Sequence, residues 1–321
     1  MKSRTSTVGI LLLTAGAILA IGLAGCSLFG EKGTVTISLT DAPIDVASVK
    51  EVNITVSEIQ YNLSTGGADN WRTFTDFQGP RTINLLSKAD GVAEVLGTLA
   101  MPAGQYNQIR FMLDAPEDGT SVTAKPSSYI LFNDDSWAAL FIPSADKTGF
   151  KAVNAFQVPV NGNVSITADF DLRRSIRTTD RYSATTYVMR PTLRLVVENE
   201  AGLIAGKGAN LPAGQTVAVF AYADGAYAAA EATPPTADST STTQFAGTVT
   251  SATLKLDAAS GEWRYVLAFL AAGTYDLVVA SCDPATETWY TVKGYIPDVV
   301  VSAGQATAAD FDWDTIPATL P

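Results

Sequence analysis

The sequence predicts an all-β protein of two β-sandwich domains behind an N-terminal export segment. Three observations carry that expectation. Apolar and polar residues alternate in short runs, and no long 3.6-residue apolar period appears after residue 30. Turn-forming clusters such as "DAPID", "STGGADN", "MPAGQ", "APEDG" and "VNGN" separate those runs. The first thirty residues differ in character: Lys2 and Arg4 come early, then no charge occurs from Thr5 to Gly30.

The core Val8–Leu19 has the length of an export-signal core, whereas a membrane-spanning helix needs about 20 apolar residues. Leu23-Ala24-Gly25-Cys26 resembles the bacterial lipobox, in which small residues fit a peptidase and the thiol carries a lipid. A plain transmembrane anchor is the alternative. The resemblance implies a signal peptide over 1–25, lipidation of Cys26 and a short tether over 26–32. Each buried CH₂ contributes about 0.8 kcal/mol, so one acyl chain binds marginally and two or three hold a protein on the membrane. Ser27 stands where Asp would mark inner-membrane retention. This implies the outer membrane of a Gram-negative bacterium, with the acyl chains as the membrane contact.

Composition narrows the function classes. There are 21 basic and 32 acidic residues, for a net charge of −11. That balance disfavours nucleic acid and anionic lipid as partners. No histidine exists, which removes Ser-His-Asp and Cys-His catalysis, histidine zinc sites and histidine-ligated haem. Cys282 has no intrachain partner once Cys26 is acylated, so stability must come from burial rather than a disulfide framework.

The strands follow in order. Val35, Ile37 and Leu39 share one face of "TVTISLT". Val52, Ile54 and Val56 alternate, then the phase slips to Ile59 and Tyr61, which predicts a β-bulge near Ser57–Glu58. Further runs place together Ile109, Phe111 and Leu113; Val164, Ile166, Ala168 and Phe170; and Leu193, Leu195 and Val197. Ser87–Ala100 fits one short helix. The Gly/Ala-rich "ENEAGLIAGKGANLPAGQ" marks a boundary near residue 200, giving domains over 33–199 and 200–321. Strands restart with "TVAVFAY", "SATLKLD", "EWRYVLAFL" and "TYDLVVAS". Ala226–Gln244 is small, polar and Pro-broken, and is expected to be a mobile loop. "MPAGQYNQIRFML" and "LAAGTYDLVVA" echo each other in an Ala-Gly-x-Tyr core, which turn chemistry alone explains.

"VTISLTDAPID", "MPAGQYNQIRFML", and "DFDLRRSI" followed by "RPTLRLV" together resemble the domain of unknown function 4382 family of bacterial and archaeal lipoproteins and secreted proteins, over about Gly33–Glu198. The resemblance implies no particular activity. "AAGTYDLVV" and "YIPDVVVSAGQATAADF" are similar to the last strands of carboxypeptidase-regulatory, transthyretin-like sandwiches, which are usually non-catalytic accessories. The domains are therefore expected to be immunoglobulin-like or transthyretin-like.

Candidate site residues carry two readings each. Asp41 and Asp45, with Asp171, Arg173 and Arg174, lie in the family-like motifs. Arg177 and Arg181 extend that basic run. They form either an Asp–Arg pair tying strand ends together or a ligand rim whose Arg forks hold carboxylate, sulfate or sugar hydroxyls. Five tryptophans are read chiefly as core, with Trp71 and Trp289, after polar loops, as candidates for a sugar platform. Asp114, Glu117 and Asp118 in "DAPEDGT" are turn formers that also admit calcium; "NDDSW" is a similar acidic turn. "DFDWD" (Asp310–Asp314) has calcium-loop spacing but lacks the glycine and glutamate such a loop needs, so an edge strand with an acidic wet face is favoured. "SADKTG" matches two penicillin-binding signatures, but both share Lys147, and it is read as chance. No catalytic residue is assigned. The favoured function is non-enzymatic binding or adhesion to a polysaccharide or envelope protein. A structural or assembly accessory facing the periplasm is the alternative, and a carboxylate-dependent glycan hydrolase a remote one.

Overall fold

The computed structural model describes residues 31–42, 48–63, 70–116, 122–181, 184–190, 192–235, 243–285 and 289–320. The export segment, Cys26, Asp45, Glu117 and Asp118 lie outside them. No helix among the described residues is long and apolar enough to cross a membrane.

The chain is all-β. Thirteen strands occupy the first body: β1 (Lys32–Ala42), β2 (Val49–Leu63), β3 (Trp71–Thr73), β4 (Arg81–Asn84), β5 (Glu94–Pro102), β6 (Gly104–Asp114), β7 (Tyr129–Phe132), β8 (Trp137–Phe141), β9 (Phe150–Val158), β10 (Asn163–Asp171), β11 (Ile176–Arg181), β12 (Ala184–Met189) and β13 (Leu193–Val197). One sheet runs β13-β10-β1-β5. The other runs β11-β12-β8-β7-β2-β6-β9, with β3 and β4 also paired to β2. The alternation explains the packing between them. Val35, Ile37 and Leu39 of β1 are fully buried, and meet Ile59, Ile109 and Phe111 from the larger sheet in one core. The β2–β6 ladder shifts register between Val56 and Glu58, where the phase of the sequence slips.

The second body holds β14 (Ala201–Ala209), β15 (Thr216–Ala223), β16 (Thr250–Thr253), β17 (Lys255–Asp257), β18 (Glu262–Ala271), β19 (Gly273–Cys282), β20 (Thr291–Val301), β21 (Ala306–Ala308) and β22 (Phe311–Asp312). One sheet runs β17-β18-β14-β21, with β22 also on β14. The other runs β16-β15-β19-β20. Among the described residues, no strand pairing joins the two bodies.

Three expectations change. Ser87–Ala100 is not a helix: only Leu85–Lys88 forms a 3-10 turn, and Glu94 onward is β5, laddered on β1. Asp90 and Gly91 both take positive φ, which breaks the chain direction, and the open edge of β1 then captures the apolar residues as a strand. The described flanks of Ala226–Gln244 are packed rather than loose. Tyr227, Ala232 and Phe245 cover the outer face of β15 and β19 against Ala218, Phe220, Tyr222 and Val278. Gln244 is buried, donating from Nε2 to the Tyr290 carbonyl (2.9 Å) and accepting from the Tyr290 N–H (2.8 Å). Residues 236–242 lie outside the described set. "DFDWD" gives only the two-residue β22. Asp310 and Asp312 accept hydrogen bonds from Lys207 N–H (2.9 Å) and Asn210 Nδ2 (2.8 Å), while Phe311 is buried.

The Ala-Gly-x-Tyr echo has a structural cause. Tyr106 Oη donates to the Pro102 carbonyl at 2.7 Å, and Tyr275 Oη donates to the Ala271 carbonyl at 2.8 Å. Each is a tyrosine corner, a hydroxyl returned to the backbone four residues upstream. Tyr106→Phe and Tyr275→Phe are each expected to cost about 1 kcal/mol, read by urea denaturation. Burial pushes the Tyr106 phenol up to about 12 from its ordinary 10.0. A raised value favours the neutral fold, so this stability is complete below pH 10 and lost as pH rises through about 12. Tyr106→Phe should therefore lose less stability than the wild type across that alkaline range.

Candidate functional site

The family-like motifs converge on the joint between the bodies. Asp171 ends β10 and caps the helical turn Leu172–Ser175, its Oδ1 accepting from the Arg174 N–H at 3.0 Å. Asp41, buried on β1, accepts from the Leu172 N–H at 3.2 Å. Parallel pairing of β1 with β10 sets Ala42 opposite Asp171, which brings the two motifs side by side. Arg173 leaves this turn for the second body. It donates to the Gln244 carbonyl at 2.8 Å and lies over the Phe220 ring, 5.1 Å from its centroid, with Asp171 Oδ2 3.8 Å away. Arg174 stays more exposed. Arg177 and Arg181 run away along β11.

A second guanidinium crosses nearby. Arg194 donates from Nε to Asp169 Oδ2 at 2.7 Å and from a terminal nitrogen to the Phe269 carbonyl at 2.8 Å. Lys255 also pairs with Asp90 across the joint. Between these contacts lies a cavity of about 10 Å³, room for one water, lined by Thr40, Asp41, Asp90, Asp169, Thr250 and Ser251 among others. Here the carboxylates and guanidiniums are engaged with protein groups.

The other arrangement is on the outer face of the larger sheet. Core alternation turns Ile59, Tyr61, Ile109 and Ala152 inward, so Gln60, Gln108, Arg110 and Lys151 take the other face, Lys151 exposed and the rest half-buried, beside the buried Asn62. Register then sets Thr73, Gln60, Arg110 and Lys151 in one row across β3, β2, β6 and β9, and Trp71, Asn62 and Gln108 in the next. Arg110 stands 4.2 Å from the centroid of the half-buried Trp71 ring and Lys151 5.8 Å from it. Gln60 Oε1 accepts from Arg110 Nε at 2.6 Å. Glu58 accepts from Thr73 (2.6 Å) and Gln60 (2.7 Å), and these hydrogen bonds hold its carboxyl below the usual glutamate range. The face thus combines an aromatic ring, amides and cations, the chemistry of a hydroxyl-rich or anionic ligand site.

Trp71 is the one sequence candidate placed here. Trp289 belongs to the second body, exposed just before β20. Asp114 is exposed and accepts from Ser127 Oγ at 2.8 Å. Sequence reasoning missed Gln60, Gln108, Arg110 and Lys151: Gln108 and Arg110 stand in the family-like "MPAGQYNQIRFML", and otherwise the signal is outward phase on apolar strands. It also missed Asp224, Asp276 and Asp298, whose carboxylate oxygens lie within 4.8 Å of one another and could hold a metal ion. Asp298 sits at positive φ in a bulge of β20 opposite Asp276. The buried Asp276 already accepts from the Gly225 N–H at 2.9 Å.

Residues 32–191 match the model of a family described as domain of unknown function (DUF4382). The match supports that family for the first body. No curated protein matches. Solved structures overlap weakly. A candidate adhesin from Bacteroides ovatus is 9% identical, covering 100% of this chain and 98% of its own, with a TM-score of 0.23. The minor pilin GBS52 of Streptococcus agalactiae is 10% identical, covering 89% and 97%, at 0.18. The Bacillus anthracis TIE protein is 9% identical at 0.18; 88% of this chain spans 34% of that protein's length. Overlaps this low carry no argument about function.

The joint generates a stability test. Burial pushes the Asp169 carboxyl above its ordinary value, while Arg194 pulls it back. Arg194→Ala is expected to cost about 3 kcal/mol near neutral pH, because a buried charge loses its partner. The folded value of Asp169 then rises further above the unfolded one, so its neutral form favours folding in acid and that contribution disappears as pH climbs through the folded value. The cost of Arg194→Ala should therefore be smallest in acid, and urea denaturation at several pH values reads this.

Proposed function

We propose that the protein is a lipid-anchored binding or adhesion module of the cell envelope, non-enzymatic, with the Trp71 face of the first body as its ligand surface. The observation that supports this reading is the register that gathers Trp71, Gln60, Gln108, Arg110 and Lys151 on one solvent-facing sheet surface. Rigid strands hold such side chains in place, which lowers the entropy lost when a ligand binds. The lipobox-like Leu23-Ala24-Gly25-Cys26 supports the anchor, and the outer membrane follows from Ser27. The ligand class is a polysaccharide or an envelope protein. A second reading, a structural accessory facing the periplasm, draws support from the Arg173 and Arg194 contacts, which fasten the two bodies to each other.

Two outcomes are expected. On a glycan and envelope-protein panel, Trp71→Ala should weaken the purified full-length protein by about tenfold or more, as loss of a central aromatic anchor does, with thermal stability nearly unchanged. Binding equal to that of the wild type would remove this face as the ligand surface. Separately, Cys26→Ser should move the protein from the membrane fraction to the soluble or uncleaved-precursor pool. Mass spectrometry of the wild-type N-terminus should show a diacylglyceryl adduct on residue 26.

A further inference from the structure

Resting on the reading of the Trp71 face as the ligand surface, we propose that its ligand is an acidic polysaccharide whose sugars carry carboxylates. Arg110 and Lys151 are direct cross-strand partners on β6 and β9. Like charges set opposite each other in a sheet repel, and only Glu58, already engaged by Thr73 and Gln60, stands near Arg110 with opposite charge. Lys50, Arg81, Lys88, Lys207 and Arg264 each pair with a carboxylate, and Lys125 and Lys293 lie over aromatic rings; what marks Arg110 and Lys151 is that two cations stand directly opposite each other on paired strands. Among the described residues, Lys151 has no hydrogen bond or ion pair, and the terminal nitrogens of Arg110 have no protein acceptor. In a chain of net charge −11, two cations placed directly opposite each other are positioned to hold an anion.

The neighbours of this pair of cations define the anion. An Arg fork matches a carboxylate bidentately, and the Trp71 ring, with the Arg110 guanidinium 4.2 Å from its centroid, backs and orients that fork. Thr73 and Gln60 lie in the row of the two cations and Gln108 in the adjacent row, which offers polar groups to a chain of hydroxyl-bearing units. An extended anionic surface such as a membrane would be repelled by the acidic remainder of the protein.

The probe is polygalacturonate, with its methyl ester as neutral counterpart, titrated against the full-length protein in neutral detergent at about 0.02 M and about 0.5 M salt. Polygalacturonate should bind at least about tenfold more tightly than the ester at low salt and lose that advantage at high salt. Arg110→Gln and Lys151→Gln should each weaken polygalacturonate by about tenfold and leave the ester alone. Because these changes remove a repulsion, the thermal midpoint of Lys151→Gln should hold or rise, which separates lost binding from lost folding. Ester bound as tightly as the acid, or binding indifferent to both charge substitutions, overturns the proposal. If ester binding still needs Trp71, the face survives and only its acidity preference falls. If neither probe binds, or neither depends on Trp71, the reading of the face falls with it. Equal binding to phosphatidylglycerol vesicles through the same residues overturns the choice of a polysaccharide.

Discussion

Withdrawing a guanidinium from water is costly unless most of its donors find acceptors, and this constraint organises the region where the two bodies meet, with Arg173 Nε left buried and unsatisfied. Arg173 leaves the turn after β10 and reaches the carbonyl of Gln244, while lying over the Phe220 ring. Gln244 in turn is held by the backbone N–H and carbonyl of Tyr290 and by the Ala232 carbonyl. The same segment lays Phe245 on Phe220, with ring centroids 4.1 Å apart. One cation from the first body therefore touches the element that covers the outer face of the β15–β19 sheet. That sheet is buried on both faces, and its sequence shows this: "TVAVFAY" is nearly continuous in apolar residues, whereas half-exposed strands alternate.

Alternation made much of the fold legible. In β1, residues at steps of two are buried and pin the register, because a slip of one residue would turn every core side chain to solvent. The phase slip at Ser57–Glu58 was readable for the same reason: a bulge adds one residue and reverses the faces. Where phase was ambiguous, sequence reading failed. Ser87–Ala100 contains good helix formers in a short run, and the tertiary context, an unpaired edge of β1, overrode that propensity. The loop Ala226–Gln244 looked loose because its residues are small and polar. What packs its described flanks is the aromatic surface of the sheet beneath, contributed from residues as distant as Tyr290 and Tyr295.

The site was less legible, for a different physical reason. The motif "DFDLRRS", which stands out in a linear reading, satisfies its own local backbone groups: Asp171 caps a helical turn three residues on. Short spacing favours such local bonds. Asp41 of "TDAPID" accepts the Leu172 amide from 131 positions away, because β1 and β10 pair. A surface that receives a ligand on a sheet likewise draws on strands far apart in sequence. Gln60, Trp71, Arg110 and Lys151 span some ninety positions, and of these Arg110 alone sits in a family-like motif, "MPAGQYNQIRFML". Only the strand register makes them neighbours.

Charge placement separates the two regions further. At the joint, Asp169 is so deeply withdrawn that burial outweighs its arginine and raises its carboxyl; such a group adds little net stability over an apolar replacement but is costly to leave alone. It fixes which surfaces meet rather than how tightly. On the Trp71 face the opposite holds. The side chains are partly solvated, so water screens the Arg110–Lys151 repulsion enough for the sheet to tolerate it. Burial of the same pair would force a carboxylate partner between them, as at Asp169 and Arg194. Partial exposure is therefore what allows this sheet surface to keep uncompensated positive charge within an acidic protein.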